Sequence, residues 1–158
     1  MRELNIITKI RVCNYEELNL SEKILIDAAK DATSRSYSPY SHFRVGAAVR
    51  LSNGEIVAGS NQENVAYPSG LCAERTALFY ATSHFSGIAV QEMAIAAFSQ
   101  NDFTKYPVTP CGACRQVMME VQSRYKNEIK LYLYGEKEIF IVETITDILP
   151  LSFGEENL

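Results

Sequence analysis

The sequence has no long apolar run, no excess of basic residues and no leader-like N-terminus, and each absence closes off a class of function. No stretch approaches the roughly 18 apolar residues of a membrane-spanning helix. Lys and Arg number 15 against 19 Asp and Glu, a formal charge of −4. A nucleic-acid groove or a polybasic membrane surface would need clustered cations instead. Met1-Arg2-Glu3-Leu4-Asn5 carries an acid and an amide early and opens into no apolar segment, which argues against a signal peptide. A cytoplasmic protein is expected, with no membrane and no nucleic-acid partner. There is no internal repeat, low-complexity tract or Pro/Gly/Ser-rich linker, so a single domain over residues 1–158 is expected.

What is present is a globular composition. The 158 residues are 47% apolar, 22% charged and 10% aromatic, enough to bury a sizeable core. Residues 4–12 are β-branched and partly alternating, which predicts a strand. Ser21 and Glu22 followed by Ile24, Leu25, Ala28 and Ala29 predict a capped amphipathic helix ending near Arg35. Ser38-Pro39-Tyr40-Ser41 is loop chemistry. Strands are expected from Phe43 to Leu51 and from Ile56 to Glu63, joined by a turn at Ser52-Asn53-Gly54-Glu55. A helix from Ser69 to about Ser83 leads to a strand at 92–99. A helix from Thr109 to about Tyr125 precedes strands at 129–134 and 140–143. Strands interleaved with helices imply an α/β protein with a mixed sheet.

The four cysteines, Cys13, Cys72, Cys111 and Cys114, need a chemical reading. Without an export signal disulfides are disfavoured, leaving metal ligands, redox thiols or inert packing residues. Thr109-Pro110 before Cys111-Gly112-Ala113-Cys114 reads as a helix start. Two cysteines three apart then share a face of the first turn, where unpaired N–H groups and the helix dipole favour thiolates. Cys72 opens the other helix. Three thiolates delivered by two helix N-termini suit tetrahedral zinc with one open position. A CxxC at a helix start also fits redox chemistry, and Cys72 alone also fits core packing. Cys13 reads as a strand packing residue, although as a fourth ligand it would turn the site into a closed, non-catalytic one. Glu74 lies close enough to act as general acid and base at such a metal, and Arg75 offers a cationic counterweight. His42 and His84 stand alone, without ligand spacing to another His.

Cys72-Ala73-Glu74-Arg75 together with Pro110-Cys111-Gly112-Ala113-Cys114-Arg115-Gln116 resembles the zinc nucleoside deaminases, and among them the small homotetrameric cytidine deaminases. Ser38 to Ala48, Asn61-Gln62-Glu63-Asn64-Val65-Ala66-Tyr67 and Ile148-Leu149-Pro150-Leu151-Ser152-Phe153 resemble further segments of that family in the same order, so the likeness spans about residues 20–158. It implies a three-layer α/β/α fold with a mixed five-stranded central sheet. It implies one zinc ion per subunit on Cys72, Cys111 and Cys114, with water or hydroxide as fourth ligand and Glu74 as proton shuttle. The implied reaction converts cytidine and 2′-deoxycytidine to uridine and 2′-deoxyuridine plus ammonia, in pyrimidine salvage. By the same resemblance Ala73 binds the pyrimidine O2 through its N–H, Phe43 packs on the base, and Asn61 and Glu63 hold the sugar 3′-hydroxyl. Residues i and i+2 of a strand share a face, which supports that last pair independently. Tyr67 and Phe153 are implied contacts to a neighbouring active site in a homotetramer. Deamination of another base or nucleoside analogue is the rival within the fold. Two departures stand out. Pro68-Ser69-Gly70-Leu71 replaces the Gly-Leu-Thr type of approach to the first cysteine, and residues 1–14 have no counterpart, an N-terminal extension.

Overall fold

Apolar side chains alternate along the strands, and the alternation sorts the molecule into layers. In strand β2 (Arg44–Leu51), Ala47, Val49 and Leu51 join one buried cluster and Ala48 joins the other. β4 (Val90–Ser99) divides Met93 and Ile95 from Ala94 and Ala96 in the same way. In β6 (Lys130–Leu133), Leu131 and Leu133 separate from Tyr132. Helix α1 (Leu20–Ala32) covers one face through Leu25, Ile26 and Ala29. Helices α2 (Ala73–His84) and α3 (Gly112–Tyr125) cover the other through Ala77, Leu78 and Met118. Each large apolar side chain sealed this way stabilises the fold by about 1.5–3 kcal/mol. The computed structural model describes residues 1–158, the side chain of residue 156 excepted.

The sheet runs β1-β7-β6-β4-β2-β3, with β1 at Arg11–Cys13, β3 at Ile56–Ser60 and β7 at Ile139–Val142. Among the described residues β4 and β6 form the parallel pair, and α3 lies in the connection between them, the crossover that parallel strands require. The α/β/α layering agrees with the sequence, but the sheet has seven strands where five were expected. One addition is β5 (Asp102–Phe103), two residues folded back on β4 through Gln100 and Asn101 at φ 54° and 68°. A strand of two residues has no periodicity to read.

Several boundaries differ from the sequence reading. The first strand covers Arg11–Cys13 and not 4–12, because its partner β7 ends at Val142 and pairs no further than Arg11↔Ile141. Helix α1 is capped by Asn19, whose side chain accepts from Glu22 N while Glu22 accepts from Asn19 N, both at 3.0 Å. This reciprocal box outweighs the Ser21 signal. Strand β3 ends at Ser60, so Asn61 and Glu63 lie beyond it.

Candidate active site

Two close approaches set the site in place. A Cβ at Gly59 of β3 would come within 2.6 Å of the Ala77 nitrogen, so the glycine lets α2 lie directly on the sheet. Leu71 and Gln62 exchange backbone hydrogen bonds of 2.9 and 2.8 Å, which keeps the chain extended up to Cys72. The helix therefore starts at Ala73 instead of Ser69, and Cys72 is its N-cap (φ −71°, ψ 152°). Cys111 is likewise the N-cap of α3 (φ −68°, ψ 165°), so Thr109 and Pro110 precede the helix rather than open it. Neither cysteine caps its helix with its own side chain. Both sulfurs are left free to face a common point, and Cys114 reaches it from the buried side of the first turn of α3.

The three sulfurs lie within 4.8 Å of one another, with Cys111 and Cys114 at 3.6 Å. Tetrahedral thiolates at Zn–S of about 2.3 Å would sit about 3.8 Å apart, so the triad has the size zinc needs. Its electrostatics agree. Hydrogen bonding with the Cys114 thiol, and then with Arg75, lowers the Cys72 thiol to about 5. The Cys114 thiol is pushed far up, first by its bond to Cys72, then by burial and the Glu74 charge. Burial raises the Glu74 carboxyl, and the Cys72 charge adds to it. One arginine beside four acidic groups cannot keep them all ionised, whereas a dication supplies the missing positive charge. Arg75 Nη2 donates to Cys72 Sγ at 3.6 Å, and its Nε is buried without a partner. Cys13 lies in the layer on the α1 side of the sheet, away from the triad, so it closes no fourth position.

Glu74, in the first turn of α2, is 5% exposed. It lines a cavity of about 450 Å³ with Cys72, Cys111, Ala73 and Phe43. That volume falls within the range of small-molecule sites, about 300–1,000 Å³. An outer opening of about 540 Å³ adjoins it, bordered by Tyr67, Gln62 and Arg75. Asn61 and Glu63 line both. Asn61 is held from three sides: Oδ1 accepts from Ser36 Oγ at 2.6 Å and Val45 N at 2.8 Å, and Nδ2 donates to Phe43 O at 2.9 Å. One Nδ2 hydrogen remains for a ligand. Glu63 accepts from Tyr40 N at 2.9 Å, Ser41 N at 3.3 Å and the Ser41 hydroxyl. Those bonds, the hydroxyl first, hold its carboxyl below the usual range. Tyr67 and Phe153 are 80% and 62% exposed, so neither is a core residue of this chain. His42 is exposed, and His84 at the end of α2 stacks on Tyr80 at 5.2 Å.

Sequence reasoning missed Ser36 and Ser41 as supports of Asn61 and Glu63, and Ile95, Val108 and Thr109 as cavity walls. The supporting serines lie 25 and 22 residues from their partners, and contacts at that range leave no local pattern. Their one signal was the density of hydroxyls in Ser36-Tyr37-Ser38-Pro39-Tyr40-Ser41.

The family model for the cytidine and deoxycytidylate deaminase zinc-binding region matches residues 20–127, which contain the triad and Glu74. A cytidine deaminase of Halalkalibacterium halodurans is 41% identical over 140 residues, covering 88% of this chain and 98% of that protein. One of Sporosarcina psychrophila is 39% identical over 135 residues, covering 85% and 92%. The 1.6 Å crystal structure of a cytidine deaminase from Burkholderia pseudomallei aligns with a TM-score of 0.71 at 36% identity, over 82% of this chain and 97% of that one.

Proposed function

The chain belongs to the cytidine and deoxycytidylate deaminase zinc-binding family, and from that premise we propose that it hydrolyses cytidine and 2′-deoxycytidine to uridine and 2′-deoxyuridine plus ammonia. The observation that carries this reading is the buried carboxyl of Glu74 in the same cavity as three sulfurs spaced for zinc. Cys72, Cys111 and Cys114 would hold the metal. Zinc so bound supplies Lewis acidity that makes a water molecule nucleophilic near neutral pH.

The chain's own residues do the rest. Glu74 takes a proton from the attacking water, gives it to ring N3, and passes a proton to the ammonia that leaves C4. Its burial and raised proton affinity suit a group that must both accept and donate. Ala73, at the start of α2, offers a backbone N–H with no intrahelical partner to the pyrimidine O2. Phe43 packs against the base. The remaining hydrogen on Asn61 Nδ2 and the ionised Glu63 form a donor and an acceptor for the 3′-hydroxyl, a group that needs both. Arg75 offsets the thiolate charge. A polynucleotide would want a cationic channel, which a net charge of −4 does not favour, so a free nucleoside suits the cavity better.

The exposed rings of Tyr67 and Phe153 suit contacts to neighbouring subunits, and a homotetramer is the assembly proposed. Among the described residues no helix is long and apolar enough to cross a membrane. The reading is completed by the proposal of a single-domain cytoplasmic enzyme of pyrimidine salvage, with residues 1–14 as an extension. The test is loss of ultraviolet absorbance with cytidine, 2′-deoxycytidine, cytosine and adenosine in parallel. Turnover of the first two alone is expected. Turnover of adenosine or cytosine in their place would overturn the substrate assignment.

A further inference from the structure

Arg115 follows Cys114 directly and touches neither the cavity nor the sulfurs, yet it spans two segments that meet at the metal loop. Its Nε donates to the Pro110 carbonyl at 2.8 Å and its Nη1 to the Ile148 carbonyl at 2.9 Å. The Pro110 carbonyl and the Cys111 nitrogen belong to one rigid peptide plane. Holding that oxygen therefore fixes the plane from which Cys111 projects its sulfur. The other carbonyl belongs to the C-terminal tail, where Ile148 and Leu149 pack against the core under α2 and α3. The next side chain, Gln116, fastens the tail a second time by donating from Nε2 to the Phe153 carbonyl at 2.8 Å. A planar guanidinium has both donors in one stiff fork, so displacement of one carbonyl moves the donor aimed at the other.

We infer that Arg115 is a positioning residue that couples the seating of the C-terminal tail to the Cys111 loop, so that loosening the tail loosens the hold on zinc. The inference rests on the zinc reading above. Lysine offers one nitrogen on a flexible stem in place of two in a stiff plane, so Arg115→Lys keeps the charge and removes the rigid link between the two carbonyls. Gln116→Ala frees the Phe153 anchor and removes no atom near the sulfurs.

The experiment measures the rate at which the zinc-loaded full-length protein yields its metal to a chromogenic chelator, in the wild type, both single variants and the double variant. Removing a residue that orients a metal ligand typically costs about tenfold to a hundredfold in metal retention, and release from Arg115→Lys should rise by about that amount. Gln116→Ala should speed release several-fold in the wild-type background and add nothing once Arg115 is Lys. Wild-type release from Arg115→Lys would overturn the inference, as would a Gln116→Ala factor that is the same in both backgrounds. A wild-type protein that takes up no zinc would instead mark failure of the metal reading itself.

Discussion

Arg75 Nη2 donates to the Sγ of Cys72, three residues before it, at 3.6 Å, and the same guanidinium keeps a buried Nε without a partner. Thiolate and cation are thus held together by the first turn of α2. In zinc-free protein the Cys72 thiol is lowered to about 5, whereas its bond to Cys72, then burial and neighbouring charge, keep Cys114 protonated. Iodoacetamide should therefore alkylate Cys72 well before Cys114, with a midpoint below the ordinary thiol range. Arg75→Ala should move that midpoint upward and slow cytidine turnover of the zinc-loaded enzyme. An unchanged alkylation profile in the variant would count against the charge-balancing role.

A second ionic cluster sits on the opposite face of the sheet. The hydroxyl of the fully buried Tyr132 lies 3.0 Å from both Glu22 Oε1 and Glu92 Oε1. Lys130 pairs with Glu22 at 3.2 Å and Arg50 with Glu92 at 2.7 Å. Burial alone would raise the Glu22 carboxyl, but bonds from Asn19 N, Lys130 and Tyr132 together bring it below the ordinary glutamate range. A carboxyl depressed in the folded state contributes stability above its unfolded pKa and loses it as pH falls through the folded one. Chemical denaturation across pH 7 to 3 should show a steeper acid loss in the wild type than in Glu22→Gln. Parallel profiles would contradict this. Tyr132→Phe should cost about 1.5–3 kcal/mol at pH 7, the scale of a hydrogen bond to a charged group.

Asn61 serves structure as well as the cavity. Asn61→Ala leaves Val45 N–H and Phe43 C=O unpaired, and such losses cost about 1–3 kcal/mol, so the melting temperature should fall. KM for cytidine should rise more than KM for an analogue lacking the 3′-hydroxyl. Equal rises for both would remove Asn61 from sugar recognition.

The layering was legible in the sequence because burial writes itself as alternation in strands such as Arg44–Leu51. The metal triad was legible because Cys111 and Cys114 are close in sequence and lie with Cys72 at helix starts. Legibility ended where distant contacts decide. Leu71, bridged to Gln62, delays α2 to Ala73. β7 stops at Val142 and shortens the first strand to Arg11–Cys13. Nothing near Arg115 in the chain announces that Ile148, 33 residues on, shares its guanidinium with Pro110.

The most direct measurement is steady-state deamination of cytidine by Glu74→Gln with zinc content determined on the same sample. The side chains are nearly isosteric and the three sulfurs are untouched, so fold and about one zinc per chain should be retained. Turnover should fall by at least about 100-fold, the scale of a lost general acid and base. Turnover near the wild-type rate at full zinc occupancy would contradict the proton-transfer role of Glu74 and the mechanism built on it.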